Sequence, residues 1–218
     1  MNPAEESNPD ASWLRTPLTD PGEIASRYDQ WAPTYEHELV NEWRYDAPFV
    51  AGRMIAQLVR GSNNASVLDL GCGTGLVGRA LHESGIRSID GVDVSEASLN
   101  AALSTGFYRR TIRHDFNSGP LPVEAQSYDG AISVGVLSYA LDPITVVRDL
   151  CRAVVPRGAI VFTHRIDLWE KQDLDGALDA MLHGSEIESV TYTEPMPYMP
   201  GNPSEGDLQI RYVTITTR

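Results

Sequence analysis

One pattern constrains this chain more than any other: the run Ser66-Val67-Leu68-Asp69-Leu70 passes directly into glycines at every second position, Gly71, Gly73 and Gly75. Five mostly apolar residues bounded by glycine read as a buried strand, and the apolar window after them, closed by Gly85, reads as a helix. Glycines in a strand-to-helix turn allow tight turning and let a ligand approach the backbone at the helix N-terminus. Two registers overlap here. From Gly73, with Gly78 as third glycine, the stretch spells G-x-G-x-x-G, the dinucleotide pattern; from Asp69 it spells D-x-G-x-G-x-G. The glycines alone do not choose between them.

The rest of the chain repeats the alternation. Short β-rich runs at Ser88 to Val94, Thr111 to His114, Tyr128 to Val134 and Ala159 to Thr163 are separated by helical windows, the sign of βαβ units around a parallel sheet. A helix opens at Asp142-Pro143 and stops before Pro156, and another spans Leu168 to Leu182. Glu188 to Thr193 and Leu208 to Thr216 have no helix between them, so they are expected to pair as an antiparallel hairpin. Ahead of the sheet, Ile24, Tyr28, Trp31, Tyr35 and Leu39 form a helical face broken near Pro33, and Asp46 is a candidate N-cap for a helix with Val50, Met54 and Leu58 on one face and Gly61 as its stop. The expectation is an α/β fold: a Rossmann-like, doubly wound, seven-stranded sheet with an antiparallel C-terminal strand. Residues 1–20 are expected to form a loose arm, and 21–218 a single domain whose first part, 21–62, is a helical N-terminal cap.

A net charge of -13 repels a phosphate backbone, so nucleic acid is not an expected partner. The basic run Arg109, Arg110, Arg113 and His114 is a local exception, readable as an anion site or, more simply, as solvated surface. Two cysteines, Cys72 and Cys151, are too few for a disulfide framework or a zinc site, and no metal is implied. With no export signal at the N-terminus and no run of membrane-spanning length, the expected setting is the cytoplasm, away from a membrane, as a monomer or homodimer.

The acids separate the two registers. Asp69 closes the first strand, where a carboxylate would repel a pyrophosphate and attract an ammonium group. Asp93 closes the second, 20 residues beyond Gly73, where a carboxylate accepts from ribose hydroxyls, and Asp115 closes the third, within reach of an adenine amine. Three such acids suit a cationic, adenosine-containing cofactor. VLDLGCGTG (67–75), GVDVS (91–95), HDFN (114–117), YDGAISVGVLSYALD (128–142) and VVPRGAIVFT (154–163) resemble, in order and spacing, the motifs of class I S-adenosylmethionine-dependent methyltransferases. Within that superfamily, YDQWAPTYEHEL, WRYDAP and GFYRR are similar to the methyltransferase-like family named for the Williams–Beuren region. The resemblance implies S-adenosylmethionine as cofactor. It implies Gly71, Cys72, Gly73 and Gly75 around the amino acid moiety with Asp69 near its amino group, and Asp93 and Val94 at the ribose. Asp115 and Phe116 fall at the adenine, Ser133 and Val134 beside the methionine chain, and Tyr28 and Tyr35 over the top.

Methyl transfer from a sulfonium depends mainly on alignment and water exclusion. A base matters for hydroxyl or carbon acceptors, and Tyr139, after the fourth strand, and His164, after the fifth, are the catalytic candidates; His37, Arg165 and Trp169 are weaker ones. The expected function is methylation of a small-molecule acceptor. The alternatives are a nicotinamide-dependent oxidoreductase using the Gly73 register, and a protein that binds the cofactor without turnover.

Overall fold

The computed structural model describes residues 22–23, 26, 37–59 and 64–218. The expected arm and the positions of Tyr28, Trp31, Tyr35 and Gly61 lie outside the described residues. After a short π-helical turn at His37–Glu42, the elements are α1 (Ala47–Leu58), β1 (Ser66–Leu70), α2 (Leu76–Glu83), β2 (Ser88–Asp93), α3 (Glu96–Ser104), β3 (Arg110–Arg113) and β4 (Tyr128–Ser133). Then come α4 (Pro143–Ala153), β5 (Val154–Arg165), α5 (Ile166–Trp169), α6 (Leu174–His183), β6 (Ile187–Tyr192), β7 (Met196–Pro197) and β8 (Gln209–Thr217).

The sheet runs β3-β2-β1-β4-β5-β8-β6. β1 to β5 are parallel, and β8 enters antiparallel between β5 and β6. The expected hairpin is therefore present, and the short β7 extends it along β8, adding an eighth strand to the expected seven. Strand order reverses at β1, whose neighbours are β2 and β4, and the crevice outside the carboxyl ends of strands at such a point is where ligands bind in open α/β sheets. Apolar side chains fill both faces. Val67, Ile89, Ile132 and Val161 pack under α1 and α2, while Leu68, Leu70, Ile160 and Phe162 pack under α4 and α6.

Three local expectations shift. In α1 the buried face is Ala51, Ile55 and Ala56 with Gly52, while Leu58 is exposed, because small residues let α1 approach α2 closely; a Cβ on Gly52 would stand 2.8 Å from that of Ala80. Asp46 stands at the N-cap of α1 without a side-chain hydrogen bond to it. The expected helix from 168 to 182 is two helices, parted where Asp173 takes a left-handed φ of 47°, a conformation short polar side chains tolerate. β5 begins at Val154, before Pro156 and Gly158, because a register shift between Tyr128 and Gly130 lets the strand continue past them.

Candidate active site

The glycine turn leaves β1 with Gly71 at φ +74°, Gly73 at +50° and Gly75 at +111°, all in the left-handed region that L side chains rarely adopt. Gly71 and Cys72 both donate their N–H to the Val92 carbonyl, at 2.7 and 3.0 Å, which ties the turn to the end of β2. A side chain at Gly71 would overlap Val136, whereas Gly73 has nothing within 4 Å of where its Cβ would be. The turn is thus packed behind and open in front, at Gly73. Gly75 is the N-cap of α2.

The three strand-end acids occupy different environments. Asp93 is partly buried, and its two oxygens accept from Gly73 N and Ser95 N, each at 2.9 Å, so it fastens the open glycine to the end of β2. Asp115 accepts from Asn117 N at 2.9 Å in an Asx turn, with Phe116 partly buried beside it. Asp69, by contrast, has no solvent exposure, and its Oδ2 accepts from the Tyr108 hydroxyl at 2.6 Å. Loss of hydration raises its pKa to about 7, against the lowering effect of the Tyr108 bond and with a smaller push from the Asp93 charge. Burial likewise lifts the Cys72 thiol well above its usual range, which suits a loop filler rather than a thiolate.

At the carboxyl ends of β4 and β5 a second group of side chains gathers. Ser133 donates its hydroxyl to the Leu70 carbonyl at 2.9 Å, latching β4 to β1, and Val134 is buried next to it. Gly135, at φ +76°, donates its N–H to Thr163 Oγ1, and a Cβ there would stand 2.8 Å from the phenol oxygens of both Tyr45 and Tyr198. Those two rings meet edge to face at 5.3 Å. Burial raises the pKa of Tyr139 and Tyr198, so both remain phenols at neutral pH. Arg165 is a buried guanidinium, 2% exposed, that donates to both Asp167 oxygens at 3.0 and 2.7 Å and interacts with Tyr139.

The two catalytic candidates lie in different surroundings, Tyr139 on a turn after β4 and His164 on β5. Tyr139 joins Arg165 at this mouth. His164, fully buried, packs edge to face on Trp169 at 5.7 Å with Nδ1 3.0 Å from the Arg165 carbonyl, and burial lowers its pKa. His37 is exposed and beside Asn41 and Glu42. The basic run is spent internally: Arg109 and Arg110 both pair with buried Asp90 at 2.9 Å, and Arg113 pairs with Glu96. Tyr45, Tyr108 and Tyr198 were not singled out by sequence reasoning, although WRYDAP and GFYRR carry the first two. Among the described residues no cluster of His, Cys, Asp or Glu could hold a metal, and no helix is long and apolar enough to cross a membrane.

Comparison with known proteins bears on this arrangement. The family described as Methyltransferase domain matches residues 68–162. Human methyltransferase-like protein 27 is 32% identical over 158 residues, 71% of this chain and 64% of that protein. The Saccharomyces cerevisiae 18S rRNA (guanine(1575)-N(7))-methyltransferase is 32% identical over 83 residues, 38% of this chain and 30% of that protein. The chain thus spans less than two thirds of either relative. Magnesium protoporphyrin IX methyltransferase from Synechocystis, solved with bound S-adenosylhomocysteine, superposes with a TM-score of 0.63 at 14% identity, covering 91% of this chain and all of that one, a likeness of fold.

Proposed function

Because this chain belongs to the class I S-adenosylmethionine-dependent methyltransferase family, we propose that it transfers a methyl group from S-adenosylmethionine to a small-molecule acceptor. The observation that carries the reading is the pairing of an open, left-handed Gly73 with the Asp93 carboxylate 2.9 Å from its N–H, at the strand-order switch. That cradle fits a ribose and the amino acid chain attached to it. In this reading Gly71, Cys72, Gly73 and Gly75 hold the amino acid moiety, Asp93 with Val94 the ribose, and Asp115 with Phe116 the adenine. Ser133 and Val134 line the methionine side; Tyr28 and Tyr35, which the resemblance assigns over it, lie outside the described residues. When bound, the cofactor supplies an electrophilic methyl on a sulfonium.

The chain's own task is to align an acceptor and exclude water. Tyr45, Tyr139 and Tyr198, beside Gly135 and Arg165, are the groups we assign to the acceptor side. Protonated phenols donate hydrogen bonds and orient an acceptor; they do not readily take its proton at neutral pH. His164 we assign to packing against Trp169. A net charge of -13, with Arg109 and Arg110 committed to Asp90, favours a small acceptor over a polyphosphate backbone. The test is transfer of labelled methyl from S-adenosylmethionine into fractionated cell extract. Label is expected in the small-metabolite fraction; label confined to RNA or protein would overturn the acceptor class, and calorimetry showing binding of NAD but not S-adenosylhomocysteine would overturn the reaction.

A further inference from the structure

We propose that Tyr108 is the positioning residue of the glycine loop, capping α2 from outside the helix and holding Asp69, so that Asp69 serves the cofactor through Tyr108 rather than by touching it. The inference rests on the methyltransferase reading of the pocket. A helix begins with N–H groups that lack intrahelical partners, and an N-cap side chain normally accepts from one in the first turn. The N-cap here is Gly75, which has no side chain. In its place the Tyr108 hydroxyl, 30 residues downstream between α3 and β3, accepts from Gly78 N at 2.9 Å, the third residue of the helix. The same hydroxyl donates a hydrogen bond to Asp69 Oδ2 at 2.6 Å.

One phenol thereby holds both ends of the loop, Asp69 where the chain leaves β1 and Gly78 where it enters α2. The ring is seated by glycines of α2, of β2 and of the turn between β1 and α2. A Cβ at Gly78 would overlap it, one at Gly75 would lie 3.3 Å from it, and one at Gly91 on β2 would lie 3.1 Å from it and 2.8 Å from Cys72 Sγ. This accounts for the third glycine of the apparent G-x-G-x-x-G: Gly78 is a socket for Tyr108. Asp69 is wholly buried and faces that socket, which is where a loop anchor belongs. Holding both ends presets the backbone at Gly71 to Gly75 before any ligand arrives, which lowers the ordering cost of binding.

The test compares S-adenosylhomocysteine affinity by calorimetry, at a temperature well below every variant's melting point, for the wild-type chain, Tyr108→Phe, Asp69→Asn and Ile187→Val, with amide exchange read at Gly78. Ile187→Val, a core truncation on β6 away from the loop, controls for lost stability. Tyr108→Phe keeps the ring and removes one hydroxyl with both its hydrogen bonds; it is expected to raise Kd roughly tenfold and to speed Gly78 exchange. Asp69→Asn, whose amide oxygen still accepts from Tyr108, is expected to stay within about twofold of wild type, as is Ile187→Val. Wild-type affinity in Tyr108→Phe would overturn the positioning role while leaving the methyltransferase reading intact, and a loss in Asp69→Asn as large as in Tyr108→Phe would overturn the indirect role of Asp69. A wild-type chain that binds no S-adenosylhomocysteine would overturn the proposed function and the positioning role with it.

Discussion

Replacing Asp69 by Asn is expected to change the pH dependence of folding by an amount that the burial of this carboxyl sets. Its pKa is raised from 3.8 to about 7, with desolvation the largest cause and the Tyr108 hydrogen bond opposing it. An acid whose folded pKa lies above its unfolded one keeps its proton in the native state while the unfolded chain has released it. Stability is therefore lost as pH climbs from about 4 to about 7, and the full penalty remains above that window. Three units at about 1.4 kcal/mol each give on the order of 4 kcal/mol in all. Between pH 5 and pH 8 the change is on the order of 3 kcal/mol, because part of the penalty is already present at pH 5. Asparagine matches the side chain's shape, still accepts from Tyr108 and does not titrate. Its Nδ2 would meet the site of Oδ1, which has no hydrogen-bond partner, so a constant offset of about 1–3 kcal/mol is expected at every pH. The informative quantity is the difference in unfolding free energy between mutant and wild type, from urea titrations at a series of pH values. It should move in the mutant's favour by on the order of 3 kcal/mol from pH 5 to pH 8. A difference that stays flat across that range would refute the assignment of a protonated, desolvated Asp69.

Other substitutions probe the remainder of the site. Asp93→Ala removes the acceptor of Gly73 N and the proposed ribose partner, and should weaken S-adenosylhomocysteine binding by about 1–3 kcal/mol in calorimetry. Gly71→Ala forces a Cβ onto a left-handed residue and into Val136; a loss of about 1–3 kcal/mol in denaturant titration, with loss of cofactor binding, is expected. His164→Ala, which empties a buried position against Trp169, should lower the melting temperature without moving the pH–rate profile; a shifted limb in that profile would restore His164 as a catalytic group.

Much of this protein could be read from its sequence, and the division follows the range of the signals. Strand runs, helical windows and the glycines of the turn are local patterns, set by backbone sterics and by which face of an element meets the core, so the order of βαβ units and the closing antiparallel strand were legible. The same holds for Asp93, since an acid at the end of the second strand lies next to the turn in any such fold, and here it bonds Gly73. What the spacing could not carry were contacts between residues far apart in the chain. That Asp69 is sealed beneath the loop depends on Tyr108, 39 residues away, and that Gly78 is a socket depends on the same ring. The basic run stays at the surface, but the pairing of β2 and β3 brings Arg109 and Arg110 onto the buried Asp90, which the spacing did not show. Tyr45 and Tyr198, from opposite ends of the domain, meet only because β8 inserts beside β5 and returns the chain to Gly135. Sequence by itself determined the scaffold and the direction from which a ligand arrives. Tertiary packing decided which acid stays beside the open turn and which is buried against Tyr108, because a carboxyl's hydration is a property of everything folded around it.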